Sequence, residues 1–424
     1  MTPEIKQRIE QIRRGNVPEG YQKTKDGIFP TDWHTQKMKQ WVALAERPVT
    51  LEDDKRYRLV TVRRGFGGVD LRGEYLGKDI LVKNYFRARQ GDFLISKRQI
   101  AHGACGVVPE SLDGAVVSNE YNVFVPNQGT NIEMFNLMMQ LPHYTRLFYL
   151  MSDGVHIEKL LFKTQDWVRR QLAMPPIEEQ RKIAAILATQ DEVIELKEKR
   201  FAEKQRQKKY LMQQLLTGKK RLPRFSGEWK ANRLRNITAR HTKRNTIGNT
   251  NVLTISAQYG LINQAEFFNK AVASDDKSNY FLLETGDFAY NKSYSNGYPF
   301  GAIKRLTRYE VGIVSPLYIC FRIKEGSVSG EYLEQYFEAG LMNHEIQAFA
   351  QEGARNHGLL NIAVDDFFNL KILLPSPEEQ TAIAEVLSTA DREIELLQQD
   401  IEQEKQKKKA LMQLLLTGIV RVKI

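Results

Sequence analysis

The sequence predicts an α+β protein made of two similar halves, an internal pseudo-twofold repeat, and three observations carry that reading. First, Leu172 to Arg221 returns at Ile372 to Arg421, shifted by 200 positions (372 − 172) without a gap. About 22 of about 50 aligned positions are identical, more than a shared helical bias supplies. Second, apolar residues in both copies step by four and three, the period of a helical seam. Third, the stretches between the copies hold short apolar runs bounded by Gly, Asp and Asn, the pattern of strands, with helical patterns late in each stretch.

Taken in order, the 424 residues divide into an N-terminal helix and connector (1–19), a first module (20–171), a first spacer helix (172–223), a second module (224–371) and a second spacer helix (372–424). Ile5 to Arg14 ends at Gly15 and leads through Val17-Pro18 to Asp32-Trp33, as Leu211 to Thr217 ends at Gly218 and leads through Leu222-Pro223 to Glu228-Trp229. The halves therefore imply a circular arrangement. Each spacer opens on prolines and acids, Pro175 to Gln180 and Pro375 to Gln380, where proline suits the first turn and carboxylates oppose the helix dipole. Seam positions follow at Ile183, Leu187, Ile194, Phe201, Leu211 and Leu215, and at Ile383, Leu387, Ala390, Ile394, Leu397, Ile401, Leu411 and Leu415. Both helices stop at Leu-Thr-Gly (Gly218, Gly418), with Lys208, Lys209, Lys408 and Lys409 near the negative dipole end. At ~1.5 Å per residue each spans roughly 58 Å. Short connections favour an antiparallel pair of these long helices. Gln190, Lys197, Lys204 and Lys208 interrupt the seam, either as solvent-facing positions or as room for a partner's helices.

The two modules keep faint pairing. Gly91-Asp92-Phe93 matches Gly286-Asp287-Phe288, and Lys97 and Gly106 match Lys292 and Gly301 at the same shift of 195 (286 − 91), which implies a shared fold. Thr61 pairs with Thr254 in similar apolar runs. Strands are expected at Phe93 to Ser96, Val116 to Val125 and Val311 to Ile323, and helices at Asn131 to Leu141 and Glu331 to Phe349.

A net charge of +11 and a pI near 9.3 favour a polyanionic partner. No apolar run approaches the ~20 residues that span a bilayer, and the N-terminal stretch lacks the apolar core of a signal peptide, so a cytoplasmic location without membrane association is expected. Cys105 and Cys320, one per half, suit neither a zinc site nor a structural disulfide.

At this point the residues resemble the specificity subunit of a type I restriction-modification system. Gly20 to Trp33 and Pro223 to Trp229 look like the starts of its two target-recognition domains, and Pro-x-x-Glu-Glu-Gln leading to Leu-Leu-Thr-Gly, twice, looks like its two conserved spacers. The resemblance covers nearly the whole chain. It implies two target-recognition domains separated by antiparallel helices, each domain reading one half of a split, asymmetric site in double-stranded DNA, with the spacer setting the gap. It also implies two methyltransferase subunits and restriction subunits as partners. On this resemblance the chain itself is not an enzyme and holds no cofactor; S-adenosylmethionine, ATP and magnesium belong to the partner subunits.

The residues agree with a non-catalytic chain: no phosphate-binding G-x-x-x-x-G-K-[ST] loop and no G-x-G-x-x-G turn occurs. Met174-Pro175-Pro176-Ile177 lacks the asparagine and aromatic of an amino-methyltransferase motif, and Glu195-Leu196-Lys197 has nuclease-like spacing but sits mid-helix without an acidic partner. His102 and Cys105 have no second ligand pair, so no metal is expected. Reading DNA needs cations for phosphates and planar or amide groups for base edges. Candidates after the Gly-Asp turns are Lys97, Arg98 and Gln99 in module one and Lys292, Tyr294 and Asn296 in module two, with base reading expected of Lys292. Arg355, Asn356 and His357 form a second loop candidate, and Arg63 and Arg64, like Arg240, Lys243 and Arg244, suit phosphate contacts. Two other readings stay open: a degenerate combined restriction-methylation protein, and a non-catalytic coiled-coil nucleic-acid-binding adaptor.

Overall fold

The computed structural model describes residues 2–25, 27–81, 84–154, 156, 160–256, 259–267, 276–294, 297–349, 351–352 and 360–422. They form two compact units: residues 1–197 with 400–424, and residues 198–399. Strands and helices mix throughout both, an α+β composition.

Unit 1 contains a four-stranded sheet in the order Cys105–Val107, Phe93–Ser96, Tyr121–Pro126, Val42–Leu44, with antiparallel neighbours. A five-stranded sheet runs Pro48–Val49, Tyr85–Arg87, Val116–Ser118, Arg56–Val62, Val69–Leu76. The strand Phe93–Ser96 is buried on both faces, which explains why its sequence is a continuous apolar run. Around it Phe93, Phe124, Phe135, Phe148 and Trp167 form a fully buried aromatic core, with Phe93 and Phe135 edge-on at 5.3 Å. Each such side chain contributes ~1.5–3 kcal/mol or more through burial. The helix Ile132–Met139 starts on Asn131, whose side chain accepts from the Met134 N–H, a cap that fixes the predicted start.

Unit 2 has the corresponding four-stranded sheet: Thr238–Arg240, Ile319–Ile323, Phe288–Asn291, Ala302–Arg305. Beside it lie the pairs Leu253–Ser256 with Gly260–Asn263 and Phe281–Glu284 with Val311–Val314. Its core is again aromatic: Phe288, Phe321, Phe367, Tyr290 and Tyr332 are fully buried.

Three expected elements divide. Val116 to Val125 is two strands, Val116–Ser118 and Tyr121–Pro126, and Val311 to Ile323 is likewise Val311–Val314 and Ile319–Ile323. Apolar runs lie on both sides of Ser118 to Tyr121 and of Ser315 to Tyr318, and the small and polar residues between them make turns. The expected helix Glu331 to Phe349 breaks into Gly330–Glu338 and Asn343–Phe349 at Gly340, which adopts φ +68°, a left-handed conformation that ends a helix.

The repeated segments are single helices, Ile177–Leu215 and Pro377–Leu415. Within unit 1 the Gln190 amide donates to the Glu404 carboxylate at 2.7 Å, the Lys197 ammonium meets Asp400 at 2.8 Å and Glu404 at 2.9 Å, and Lys408 meets Asp191 at 2.6 Å. Within unit 2 Lys204 pairs with Glu393 at 2.6 Å and Lys208 with Asp391. From Asp191 to Lys197 the partner falls from Lys408 to Asp400, and from Lys204 to Lys208 it falls from Glu393 to Asp391, so the contacts within each unit run antiparallel. The polar interruptions of the seam are therefore neither solvent-facing nor vacant; they face acids on the other helix.

The Pro-x-x-Glu-Glu-Gln motif now has a physical meaning. Glu179 is 0% exposed and accepts from the Arg421 guanidinium at 2.7 Å, while Glu379 is 1% exposed and accepts from Arg221. Gln180 accepts from the Asn131 N–H at 2.8 Å and donates to the Pro175 carbonyl at 2.8 Å; Gln380 does the same with the Ser329 N–H at 2.9 Å and the Pro375 carbonyl at 3.0 Å. One residue thus ties each long helix to the start of its unit's late helix.

Candidate nucleic-acid interface

In both units the Gly-Asp turn is a built anchor. Gly91 and Gly286 take φ +81° and +95°, conformations that disfavour any side chain. Asp92 is 3% exposed and accepts from the Arg89 N–H at 2.7 Å and from Arg47 at 2.6 and 3.0 Å. Asp287 is 1% exposed and accepts from the Glu284 N–H at 2.8 Å and from Arg322 at 2.6 and 2.8 Å. Two-pronged guanidinium–carboxylate pairs of this kind fix orientation as well as charge. Hydrogen bonding to Asp287 pushes the Arg322 guanidinium above its ordinary value, so it stays charged.

The strand after each turn delivers the matched lysine to the same backbone position. The Lys97 carbonyl accepts from the Phe162 N–H at 3.0 Å, and the Lys292 carbonyl accepts from the Leu360 N–H at 3.1 Å. Their side chains then differ. The Lys97 ammonium donates to the Asn119 carbonyl, holding the 118–121 turn. Lys292 has no side-chain hydrogen bond or ion pair with another described residue.

The neighbouring candidates of unit 1 are gathered on one surface. Arg98 pairs with Glu120 at 2.7 Å, and Arg64 donates from Nε to the Gln99 amide oxygen at 2.8 Å. The tip of the hairpin formed by Arg56–Val62 and Val69–Leu76 is clasped to this loop: the Gly65 N–H donates to the His102 carbonyl at 2.7 Å and the Phe66 N–H to the Gly103 carbonyl at 2.8 Å. Phe66 sits at φ +59°, a strained conformation for an aromatic residue, with its ring over Gly103, where a Cβ would stand 3.0 Å from it. Arg63 pairs with Asp70 at 2.6 Å. Exposed pairs such as Arg63–Asp70 and Arg98–Glu120 are worth only ~0–1 kcal/mol, so these arginines can exchange their carboxylates for phosphates at little cost.

In unit 2 Tyr294 is 63% exposed next to Lys292. Asn296, Arg355, Asn356 and His357 lie outside the described residues. A partly buried polar cluster braces the end of the loop. Tyr298 donates to Glu338, the Lys304 ammonium lies 3.0 Å from the Tyr298 hydroxyl and 4.8 Å from its ring centroid, and Lys304 also pairs with Glu338. Burial first, and then the Glu338 charge, push the Tyr298 hydroxyl far up, so it remains a donor. Gly301 packs against the strand; a Cβ there would meet the Asn291 carbonyl at 2.3 Å. Of the second basic cluster, Lys243 reaches Glu284 at 3.4 Å, and Arg244 lies 5.1 Å from the Phe281 ring centroid and donates to the Asn279 carbonyl, so both brace the module.

Sequence reasoning missed Arg47, Arg322, Lys304 and Glu338. The one signal that could have found the arginines is the buried acid each must satisfy, and it says nothing of where on the chain the partner stands.

Residues 228–406 match the family model described as "Type I restriction modification DNA specificity domain". A curated relative, the specificity subunit of the type I restriction enzyme MjaVIII from Methanocaldococcus jannaschii, is 25% identical over 297 residues, which span 63% of this chain and 65% of that relative. Among solved structures, the HsdS subunit of Thermoanaerobacter tengcongensis aligns with a TM-score of 0.50 at 18% identity, covering 92% of this chain and 98% of that one. The type I restriction-modification S subunit from M. genitalium aligns with a TM-score of 0.53 at 9% identity, covering 92% and 96%. At these identities the structural likeness speaks for the fold alone.

Proposed function

We infer, from its kinship with the specificity subunits of type I restriction-modification systems, that this chain recognises DNA sequence for such a complex and carries no catalytic step of its own. The observation that carries the reading is the DNA specificity domain matched over residues 228–406. The matched loops support it: each unit presents, after an anchored Gly-Asp turn, a lysine at an equivalent position among arginine, amide or tyrosine side chains able to meet phosphates and base edges.

In the finer reading, residues 20–171 and 224–371 are two target-recognition domains that each read one half of a split, asymmetric site. The loops after the Gly-Asp turns differ almost everywhere except the matched lysine, which favours two different half-sites. The long helices would set the gap and receive two methyltransferase subunits. Support for that docking comes from apolar side chains left exposed at corresponding positions of both helices: Ile186 (38%) and Val386 (36%), Leu196 (64%) and Leu396 (58%). No helix among the described residues is long and apolar enough to cross a membrane.

The test is to co-express the chain with the methyltransferase subunits, sequence the methylated bases of the host genome, and measure binding of the purified complex to the motif so found. A bipartite motif, with binding that disappears when either half is scrambled, is the expected result. A methylation pattern that does not depend on this chain would overturn the proposal. Inserting four residues after Thr217 should change the preferred gap while leaving both half-sites intact; an unchanged gap with full activity removes the spacer from that role.

A further inference from the structure

Unit 2 carries a cleft of 680 Å³ beside the strand Thr238–Arg240, lined by Arg235, Arg240, Lys324 and Asn369 and by one acid, Asp365. The cations come from three places: the short helix Leu234–Ile237, the strand Thr238–Arg240, and the residue after the strand Ile319–Ile323. Arg233, outside the lining, donates to the Asn369 side-chain oxygen at 3.1 Å; its counterpart in unit 1 is also a cation, Lys37. Arg235 and Arg240 are exposed, and neither side chain has an acid within ion-pair distance among the described residues. Lys324 is held at the cleft because its ammonium donates to the Arg235 carbonyl at 2.7 Å. Concentrating like charge around a concavity opposes folding unless an anion repays it.

Two comparisons say that this cleft is not part of the reading loop and not a property of the shared fold. Tyr290 pairs with Ile319 and Thr238 pairs with Ile323, so Lys292 and Lys324 lie towards opposite ends of the same sheet. Ile319 to Lys324 spans about 16 Å at ~3.3 Å per residue, or roughly five base-pair steps of ~3.4 Å. In unit 1 the corresponding places hold Lys39, Leu44 and Asn127; the Asn127 N–H donates to the Trp41 carbonyl as the Lys324 N–H donates to that of Ile237. One cation stands there in place of three.

We propose that the Arg235–Arg240–Lys324 cleft holds backbone phosphates of duplex DNA flanking the half-site read by unit 2, a contact that adds affinity without sequence and that unit 1 does not make. The inference rests on the DNA-recognition reading above. Each phosphate neutralised by a cation releases counterions and adds about 0.9 to the slope of log affinity against log salt.

The test uses the complex with its methyltransferase subunits and two duplexes, one ending at the second half-site and one extended ten base pairs beyond it. The wild type should bind the extended duplex more tightly at low salt. R235Q/R240Q should lower the salt slope on that duplex by about two and abolish its advantage, leaving the trimmed duplex, the base preference and the unfolding transition as in the wild type. R235K/R240K, which keeps the charge, should restore the slope. An unchanged slope, or an equal loss on both duplexes, overturns the cleft proposal while leaving DNA recognition standing. A wild-type complex that does not distinguish its target from a scrambled duplex defeats the DNA-recognition reading and this proposal with it.

Discussion

Unit 1 and unit 2 solve the same problem with different residues. Each buries an aspartate at the turn before its candidate reading loop, and each satisfies it with a two-pronged arginine. In unit 1 the arginine is Arg47, ahead of the turn in the chain; in unit 2 it is Arg322, behind it. Beyond the anchor they diverge further: unit 1 clasps its loop with a hairpin tip and ties its lysine to a turn, whereas unit 2 braces its loop with Tyr298, Lys304 and Glu338. What is held in common is the requirement that a buried carboxylate be met. The position of the group that meets it is not held in common, and the loops themselves still less.

The largest expected effect breaks this comparison at the long helices. Arg421→Ala leaves Glu179 buried without its guanidinium, and the Trp33 indole N–H, the counterpart of Trp229, has no hydrogen-bond partner among the described residues and so does not already serve Glu179. Stranding a buried charge costs ~3–5 kcal/mol. Arg221→Ala should cost less, by roughly one hydrogen bond to a charged group, ~1.5–3 kcal/mol, because the Trp229 indole already donates to Glu379 at 3.2 Å. Urea unfolding of both variants decides it, and equal losses would show that the tryptophan contributes nothing.

Next come the lysines. Lys292→Ala should either cost ~1–3 kcal/mol at one base position or lower the salt slope by about one, according to whether it meets a guanine edge or a phosphate. Lys97→Ala should act less on DNA and more on folding, since its ammonium holds the Asn119 carbonyl. Competition binding against single-base variants at two salt concentrations separates these outcomes; a larger DNA effect for Lys97 would reverse the assignment.

A smaller effect is expected at the brace. Tyr298→Phe removes a hydrogen bond to Glu338 and should cost ~1.5 kcal/mol, the low end for a bond to a charged group because Lys304 still pairs with that carboxylate, with base preference relaxed only in the half-site read by unit 2. Relaxation in both halves would contradict independent reading.

The smallest effect is pH dependence where the helices differ between copies. Glu404 stands where the other copy has Lys204, and its carboxyl is pulled down to about 2 by Gln190 first, then Lys197 and Lys407. A folded pKa below the unfolded one means that this contribution is complete above the ordinary glutamate range of ~4.3 and disappears as pH falls towards 2. Glu404→Gln should flatten the acid limb of an unfolding titration between those values. A wild-type acid limb that is the same in the variant would remove Glu404 from the network.

Much of the frame was legible in the sequence because its signals are local. Prolines, acids and a terminal Leu-Thr-Gly mark the long helices, the run Phe93 to Ser96 marks a strand buried on both faces, and Gly91 and Gly286 mark turns that need positive φ. The turns at Asn119 and Pro316 and the break at Gly340 are short interruptions between apolar runs, which the sequence reading joins. The matched lysines could be found by position, but not what each ammonium touches, since Asn119 and Glu120 approach Lys97 and Arg98 only through strand pairing. Long-range partners such as Arg47 and Arg322 leave no trace near the acid they satisfy.

The reciprocity of the helix contacts has a genetic consequence. Lys208 meets Asp391 while Lys408 meets Asp191, and Arg221 meets Glu379 while Arg421 meets Glu179, so the two copies supply and receive the same groups. A crossover within the repeated segment, joining one module to a spacer inherited from elsewhere, would regenerate every one of these pairs without a compensating mutation. Such a hybrid would suffer at the contact positions that differ between copies, 190 and 390, 193 and 393, 197 and 397, 200 and 400, 204 and 404. Those unreciprocated contacts, and not the reciprocal ion pairs, are where a lineage could keep its two modules from being exchanged.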